Sequence, residues 1–453
     1  MKIYFAFLSA FLFFLLWLIS DLTTLESLSI SLCVFAFLEL LFDLGRRVVI
    51  MDFAIQAALF TCLVMPVIFY HIYNMDNRMA RVWVKYMPIK SDDYYMYALP
   101  AVIAMAIGLR LPLKKLRIEK NPAVYMQNVQ KYLVDKSNLG LILIGVGVVS
   151  GLLDFLAPAN LKQVFFQMAH LTYVGVFYVV YSPYKNKKLI VIGVLTLMVA
   201  QTMAEGMFGE FIYLLICSLT LFLLGKKITF RLKLTYALLG IFLIILLQSV
   251  KMEYRKRSWL EGQGADPAYF AQLIGDKITD MSTLLNPDNL FFSAVRMNQG
   301  WLVAVTMKKV PERYPFGNGE TIFNSVAATI VPRFVWPDKP DAGGKANLKR
   351  YWGYKLVGYS MNIGPLGEGY ANFDKFGGII YMFFYGLFFN YMLSGILKFS
   401  EKRPSIILWL PFLFFYSISV ESDLLTTMGA LVKGLIFTWI VFKVFHIAFR
   451  VDL

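Results

Sequence analysis

Ile241-Phe242-Leu243-Ile244-Ile245-Leu246-Leu247-Gln248-Ser249-Val250-Lys251-Met252-Glu253-Tyr254-Arg255 is where this chain changes character. Up to Ser249 it is one of many long apolar runs. From Val250 to Lys375 the sequence turns polar and rich in arginine, proline and aromatics, and at Phe376 the apolar runs resume. The expected fold is therefore a bundle of apolar helices interrupted by one long insertion. Three parts follow: 1–249 with the first nine spans, the loop 250–375, and 376–453 with the last three.

Outward from that boundary, composition agrees. The chain is 58% hydrophobic and 16% charged, with mean hydropathy +0.61; soluble domains carry about 25% charged residues. The apolar runs are long enough to cross a hydrocarbon core about 30 Å thick. They predict an all-α polytopic membrane protein with twelve spans, near 3–20, 26–43, 51–72, 94–110, 139–157, 162–182, 187–204, 207–224, 232–249, 376–398, 404–420 and 428–447. Residues 3–20 lack a following small-x-small cleavage site, so they read as a first span, not a signal peptide. Cys33, Cys62 and Cys217 all lie in apolar runs, where they pack as small apolar side chains; none can staple the loop.

The net charge of +15 raises the question of nucleic acid, but its placement answers it. Arg46 and Arg47, Arg110 to Lys136, Lys185 to Lys188, Lys226 to Lys233 and Lys398 to Arg403 fall in alternate connections. The short connections between them are nearly free of Lys and Arg; 73–93 is the exception. This is the signature of topology-setting charge, which puts the basic set and both termini in the cytoplasm and, by parity, the long loop outside. No nucleic-acid partner is implied. The basic 111–138 stretch is expected to lie along anionic headgroups.

Inside the loop, Asp266-Pro267 and Asn286-Pro287 are helix starts, each a capping side chain followed by proline. The first helix has an apolar face of Phe270, Leu273, Ile274, Met281, Leu284 and Leu285. The second is expected to run 289–309 and a third 320–330, ended by Pro332. The loop has no histidine, CxxC, HExxH or Asp-x-Asp, so no cofactor and no metal is called for, and no Ser-His-Asp device. Its cations remain. Lys308, Lys309, Lys349 and Lys355 read as solvated charges. Arg255 follows a span closely, Arg296 lies on an apolar aromatic helix, and Arg333 sits in Pro332-Arg333-Phe334-Val335-Trp336-Pro337-Asp338-Lys339-Pro340. An arginine held by prolines against aromatics can clamp phosphate bidentately. Ten residues separate Arg333 from Gly344. Glu368 and Asn372, four apart, would share a helix face; Glu368 is either a general base or hydroxyl orienter, or the partner of a loop arginine.

In order, Lys251-x-x-Tyr254-Arg255, Arg296-x-x-Gln299, the Pro332–Pro340 run with Trp336 and Lys339, and Glu368-x-Tyr370-x-Asn372-Phe373 resemble the Wzy-type oligosaccharide repeat-unit polymerases of O-antigen and exopolysaccharide. The Arg333…Gly344 spacing resembles a pattern of such enzymes; Asp374 stands where glycine is expected after Asn372-Phe373. The resemblance implies a GT-C-like membrane enzyme of the bacterial inner membrane. It would join polyprenyl-pyrophosphate-linked oligosaccharides at the outer face without metal, with a chain-length regulator and a flippase as partners. It assigns pyrophosphate and leaving-group roles to Arg255, Arg296 and Arg333, the attacking hydroxyl to Glu368, and sugar stacking to Trp336, Tyr351 and Trp352. Lys251, Tyr254, Gln299, Lys339, Gly344 and Asn372 complete the expected substrate contacts. An O-antigen ligase-type transferase is the neighbouring reading, though a loop histidine is expected of it. A lipid-oligosaccharide flippase would need ionisable residues within spans. An acyltransferase and a non-catalytic partner in polymer export are further alternatives.

Overall fold

The computed structural model describes the chain except residues 113–120, 157, 159–160, 206–207, 256, 258–265, 281–285, 334 and 358–359. The side chains at 155, 204–205, 208–211, 251–252, 255 and 449 also lie outside the described set. That set therefore excludes the side chains of the predicted site residues Lys251 and Arg255, and residues Met281, Leu284 and Leu285 of the predicted amphipathic face.

Among the described residues every regular element is helical. Before the insertion come α1 (Lys2–Ile19), α2 (Thr24–Asp43), α3 (Ile50–His71), α4 (Ser91–Arg110), α5 (Pro122–Tyr132), α6 (Val134–Leu153), α7 (Lys162–Tyr181), α8 (Lys187–Glu205), α9 (Phe208–Leu223) and α10 (Phe230–Arg255). The insertion carries α11 (Pro267–Thr279), α12 (Pro287–Met297), α13 (Gln299–Lys309), α14 (Glu320–Ile330) and α15 (Lys345–Trp352). After it come α16 (Gly364–Ser400), α17 (Pro404–Phe414) and α18 (Leu424–Phe449). Among the described residues eight helices, α1, α2, α3, α6, α7, α10, α16 and α18, are long and apolar enough to cross a membrane.

The predicted spans 94–110, 187–204, 207–224 and 404–420 are not among these eight, and two predicted elements are broken. The 404–420 span is only α17, a tight turn from Pro404 followed by a short helix at Leu410–Phe414. Its residues are buried on all sides, with the Trp409 indole donating to the Tyr178 hydroxyl at 3.2 Å. Irregular backbone at this depth is tolerated because protein surrounds it. The expected helix 289–309 is two helices, because Asn298 leaves helical geometry and its side chain caps α13 at the Trp301 amide.

The centre of the bundle is α4 against α16. A Cβ on Gly108 would lie 2.3 Å from Phe383 O, and one on Gly386 2.3 Å from Met105 O. Only glycine allows so close a crossing. On its other side α4 repairs α3. Pro66 has no amide to offer Cys62 O, and the buried Tyr94 hydroxyl donates to that carbonyl at 2.6 Å.

Connections segregate to two ends. At one end Gly225 N donates to Gly45 O, Tyr125 OH to Ser400 O, and Arg403 pairs with Asp452. These are the basic connections. Beside them Lys2, Asp43, Arg47, Asp52, Arg110 and Glu39 close a ring of alternating charges that ties α1, α2, α3 and α4. At the other end the insertion packs on the 73–93 connection. Tyr73 OH donates to Pro287 O, Trp83 meets Phe292 edge-on, and Lys85 lies 3.6 Å above the Trp301 ring. Of the four cations in the 73–93 connection, Arg78, Arg81, Lys85 and Lys90, Lys85 is engaged by the insertion.

Candidate functional site

The run from Pro332 to Gly344 is a strap between α14 and α15. Lys339 fixes its start: Nζ donates to Ala328 O at 2.7 Å and Val331 O at 2.6 Å, the terminal carbonyls of α14. A cation there also meets the negative end of the helix dipole. Arg333 bends back over its own turn, donating to Pro337 O at 3.1 Å and to Asp341 Oδ1 at 2.8 Å. Both partners of that ion pair are largely exposed, so it contributes little to stability. Gly344 closes the strap at φ +77°, where a Cβ would sit 2.1 Å from Met361 O. Beside it Gly343 N donates to Thr426 Oγ1 at 3.0 Å, at the start of α18.

Between strap, α14, α7 and α18 lies a cavity of about 310 Å³. Arg333, Lys339 and Lys433 line it together with Gln163, Thr329 and Thr426, and among the described residues no carboxylate lines it. Burial, then the charges of Lys433 and Arg333, push the Lys339 ammonium below its ordinary value. Such crowding is relieved when an anion enters.

Sequence reasoning brought Arg333 and Lys339 to this place and missed Lys433, Gln163 and Thr426. Lys433 had a legible signal: it is a cation well inside α18, whose other ionisable residues, Lys443 and His446, lie toward the far end of the helix, and ionisable residues within spans are rare and usually functional.

Glu368 lies elsewhere. It is fully buried on the first turns of α16, before the kink at Asp374. Oε1 accepts from Asn347 Nδ2 at 2.8 Å and Oε2 from Leu424 N at 2.8 Å. It thus joins α15 and the start of α18 to α16, and among the described residues it pairs with no arginine. Next to it Asp423 caps the Thr426 amide at 3.0 Å, and burial raises that carboxyl above its usual range. Asn372, on the same face of α16 as expected, donates to Glu368 O at 2.9 Å and to Thr321 Oγ1 at 2.7 Å. Thr321 in turn meets Tyr351 OH at 3.2 Å.

Several predicted contacts are corrected by burial. Tyr351 and Trp352 are 0% and 2% exposed, so neither offers a face to a sugar. The Trp352 indole donates to Thr306 Oγ1. Tyr254 is 1% exposed and packs on Phe270, its hydroxyl donating to Met203 O at 3.2 Å. Gln299 is buried at the start of α13. Lys309, read as solvated, donates to Trp352 O at 3.2 Å and sits over Tyr354. Trp336 is half-buried on the strap. Arg296 is exposed and bound to Glu421 at 2.7 Å, which also takes the Tyr213 hydroxyl at 2.7 Å. The Glu421 carboxylate holds that guanidinium more firmly protonated.

Residues 53–395 match the profile of DUF8712, a domain of unknown function. The chain belongs to that family. The DUF8712 region starts within α3 and ends within α16, so it contains the whole insertion, with Arg333 and Lys339, while Lys433 follows it. No curated protein and no solved structure matches the chain.

Proposed function

We propose that this protein is a Wzy-type oligosaccharide repeat-unit polymerase, with twelve spans in a GT-C-like arrangement, both termini in the cytoplasm of a bacterial inner membrane, and the insertion outside. The observation that carries the reading is the cavity where Arg333, Lys339 and Lys433 converge with, among the described residues, no lining carboxylate. Its cations suit a polyprenyl pyrophosphate, and Lys433 supplies one of them from α18, a helix long and apolar enough to cross a membrane. A sugar hydroxyl of one lipid-linked unit bonds to the anomeric carbon of the other. The bond from that carbon to the pyrophosphate oxygen breaks, the oxygen keeps the electron pair, and the hydroxyl proton ends on the leaving pyrophosphate. Preorganised cations stabilise the charge that develops on it. In this reading Glu368 is a positioning residue, since both its oxygens are occupied. A chain-length regulator and a flippase would work beside it.

The test is purified protein in nanodiscs with a defined polyprenyl-pyrophosphate oligosaccharide. A product ladder, formed with EDTA present and lost in Arg333→Ala, is expected; no ladder from the wild type overturns the reading. Lys433 favours a second reading, a translocator of the same lipid-linked oligosaccharide, because it places a charge within a span. The same substrate in vesicles would then change leaflet without forming a ladder.

A further inference from the structure

The basic end of the bundle holds a second cavity, of about 450 Å³, where three connections meet. Arg46, Lys226, Lys227 and Lys233 line it with Asn121 and Thr229, and among the described residues no carboxylate does. Its neighbour Arg47 makes the contrast. Arg47 is locked between Asp43 and Asp52 in the charge ring, at 3.0 Å and 2.8 Å. Arg46, one residue earlier, turns away and lies 3.6 Å over the Phe42 ring, and among the described residues it makes no ion pair. The same end of the molecule thus pairs its charges in one place and, among the described residues, gathers four cations without an ion pair in the next.

The walls are built. Gly225 N donates to Gly45 O at 2.8 Å, and a Cβ on Gly225 would lie 2.7 Å from Ala123 Cα, so the three connections are pressed together. Lys233 is buried, and its Nζ donates to Leu44 O and to Phe42 O. The starts of α5 and α10 both border the cavity, adding the positive ends of two helix dipoles. Beyond Lys233 the apolar side chains Tyr236, Leu239 and Leu243 of α10 are exposed.

We propose that this cavity is a phosphoryl-binding site, separate from the one under the insertion. Its ligand chemistry is a phosphate mono- or diester, and an anionic phospholipid would set its headgroup among the four cations with its chains along α10. Free phosphate shares that chemistry.

The experiment is native mass spectrometry of the full chain in detergent, offered equal phosphatidylglycerol and phosphatidylcholine of matched chains. Wild type is expected to retain phosphatidylglycerol selectively. Arg46→Gln with Lys227→Gln, both exposed side chains, should lower that selectivity roughly fivefold for each cation removed. Lys187→Gln with Lys188→Gln, exposed at the same end but outside the cavity, should leave it intact. Inorganic phosphate that displaces the lipid assigns the site to a soluble phosphoryl ligand; failure to displace assigns it to the lipid. Equal retention of both lipids by wild type without phosphate binding overturns the site. Selectivity intact in the first variant, or lost equally in the second, does the same.

Discussion

Asn347 Nδ2 lies 2.8 Å from Glu368 Oε1, and both side chains are buried. A residue of the insertion is thereby tied to a carboxylate whose other oxygen holds the first amide of α18. Glu368→Gln keeps the shape but turns one acceptor into a donor. That donor must face either the Asn347 amide or the Leu424 amide. An unsatisfied buried group costs about 1–3 kcal/mol, so Glu368→Gln should melt earlier in detergent, and Asn347→Ala likewise. Activity should fall in step with stability. A Glu368→Gln protein of wild-type melting temperature that makes no polymer would instead mark a direct role in the chemistry.

Arg333 is shared between the cavity and the exposed Asp341. Asp341 competes with any anion for the guanidinium. Asp341→Ala should therefore tighten inorganic pyrophosphate, read by calorimetry in detergent. Arg333→Ala should weaken it about tenfold or more, the size of one charge-assisted hydrogen bond. Because the ion pair is solvated, neither change should move the melting temperature much.

Lys339 gives a pH dependence. Its folded value is lowered by burial and by Lys433 and Arg333. Between the folded and unfolded values the unfolded chain binds the extra proton, so raising pH through that window adds stability. Anion affinity has the opposite sign, since the ammonium is lost as pH rises through the folded value, below the ordinary lysine range near 10.4. Pyrophosphate binding should weaken on the alkaline side in wild type. Lys339→Arg should extend binding to higher pH; parallel profiles for the two proteins would remove Lys339 from the site.

Local chemistry was legible in the sequence, and burial was not. Asp266 and Asn286 cap their helices as read, because a cap involves residues two or three apart. The Pro332–Pro340 run placed Arg333 and Lys339 on one strap for the same reason. Tyr351 and Trp352 look like surface aromatics in a polar loop, yet α15 turns them into the core under Thr306 and Thr321. Lys433 is far from Arg333 in sequence, so their meeting depends on how α18 packs against α14. Such facts live in tertiary packing and leave no local pattern.

Gly344 shows how the strap can be tested without touching the cations. Its φ of +77° is left-handed, and a Cβ would lie 2.1 Å from Met361 O, a backbone atom that cannot swing aside. Gly344→Ala should cost about 2–4 kcal/mol, combining backbone strain with a core clash. The strap from Pro340 to Gly344 would then leave α18, since Gly343 N loses its hold on Thr426. Limited proteolysis should cut first in this strap, and pyrophosphate affinity should fall although every cation remains. Gly275→Ala is the matched control. It lies within α11 with nothing within 4 Å of the added Cβ, so alanine should be neutral or stabilise by up to about 1 kcal/mol. Equal behaviour of the two variants would mean that the Gly344 turn does not hold the cavity wall.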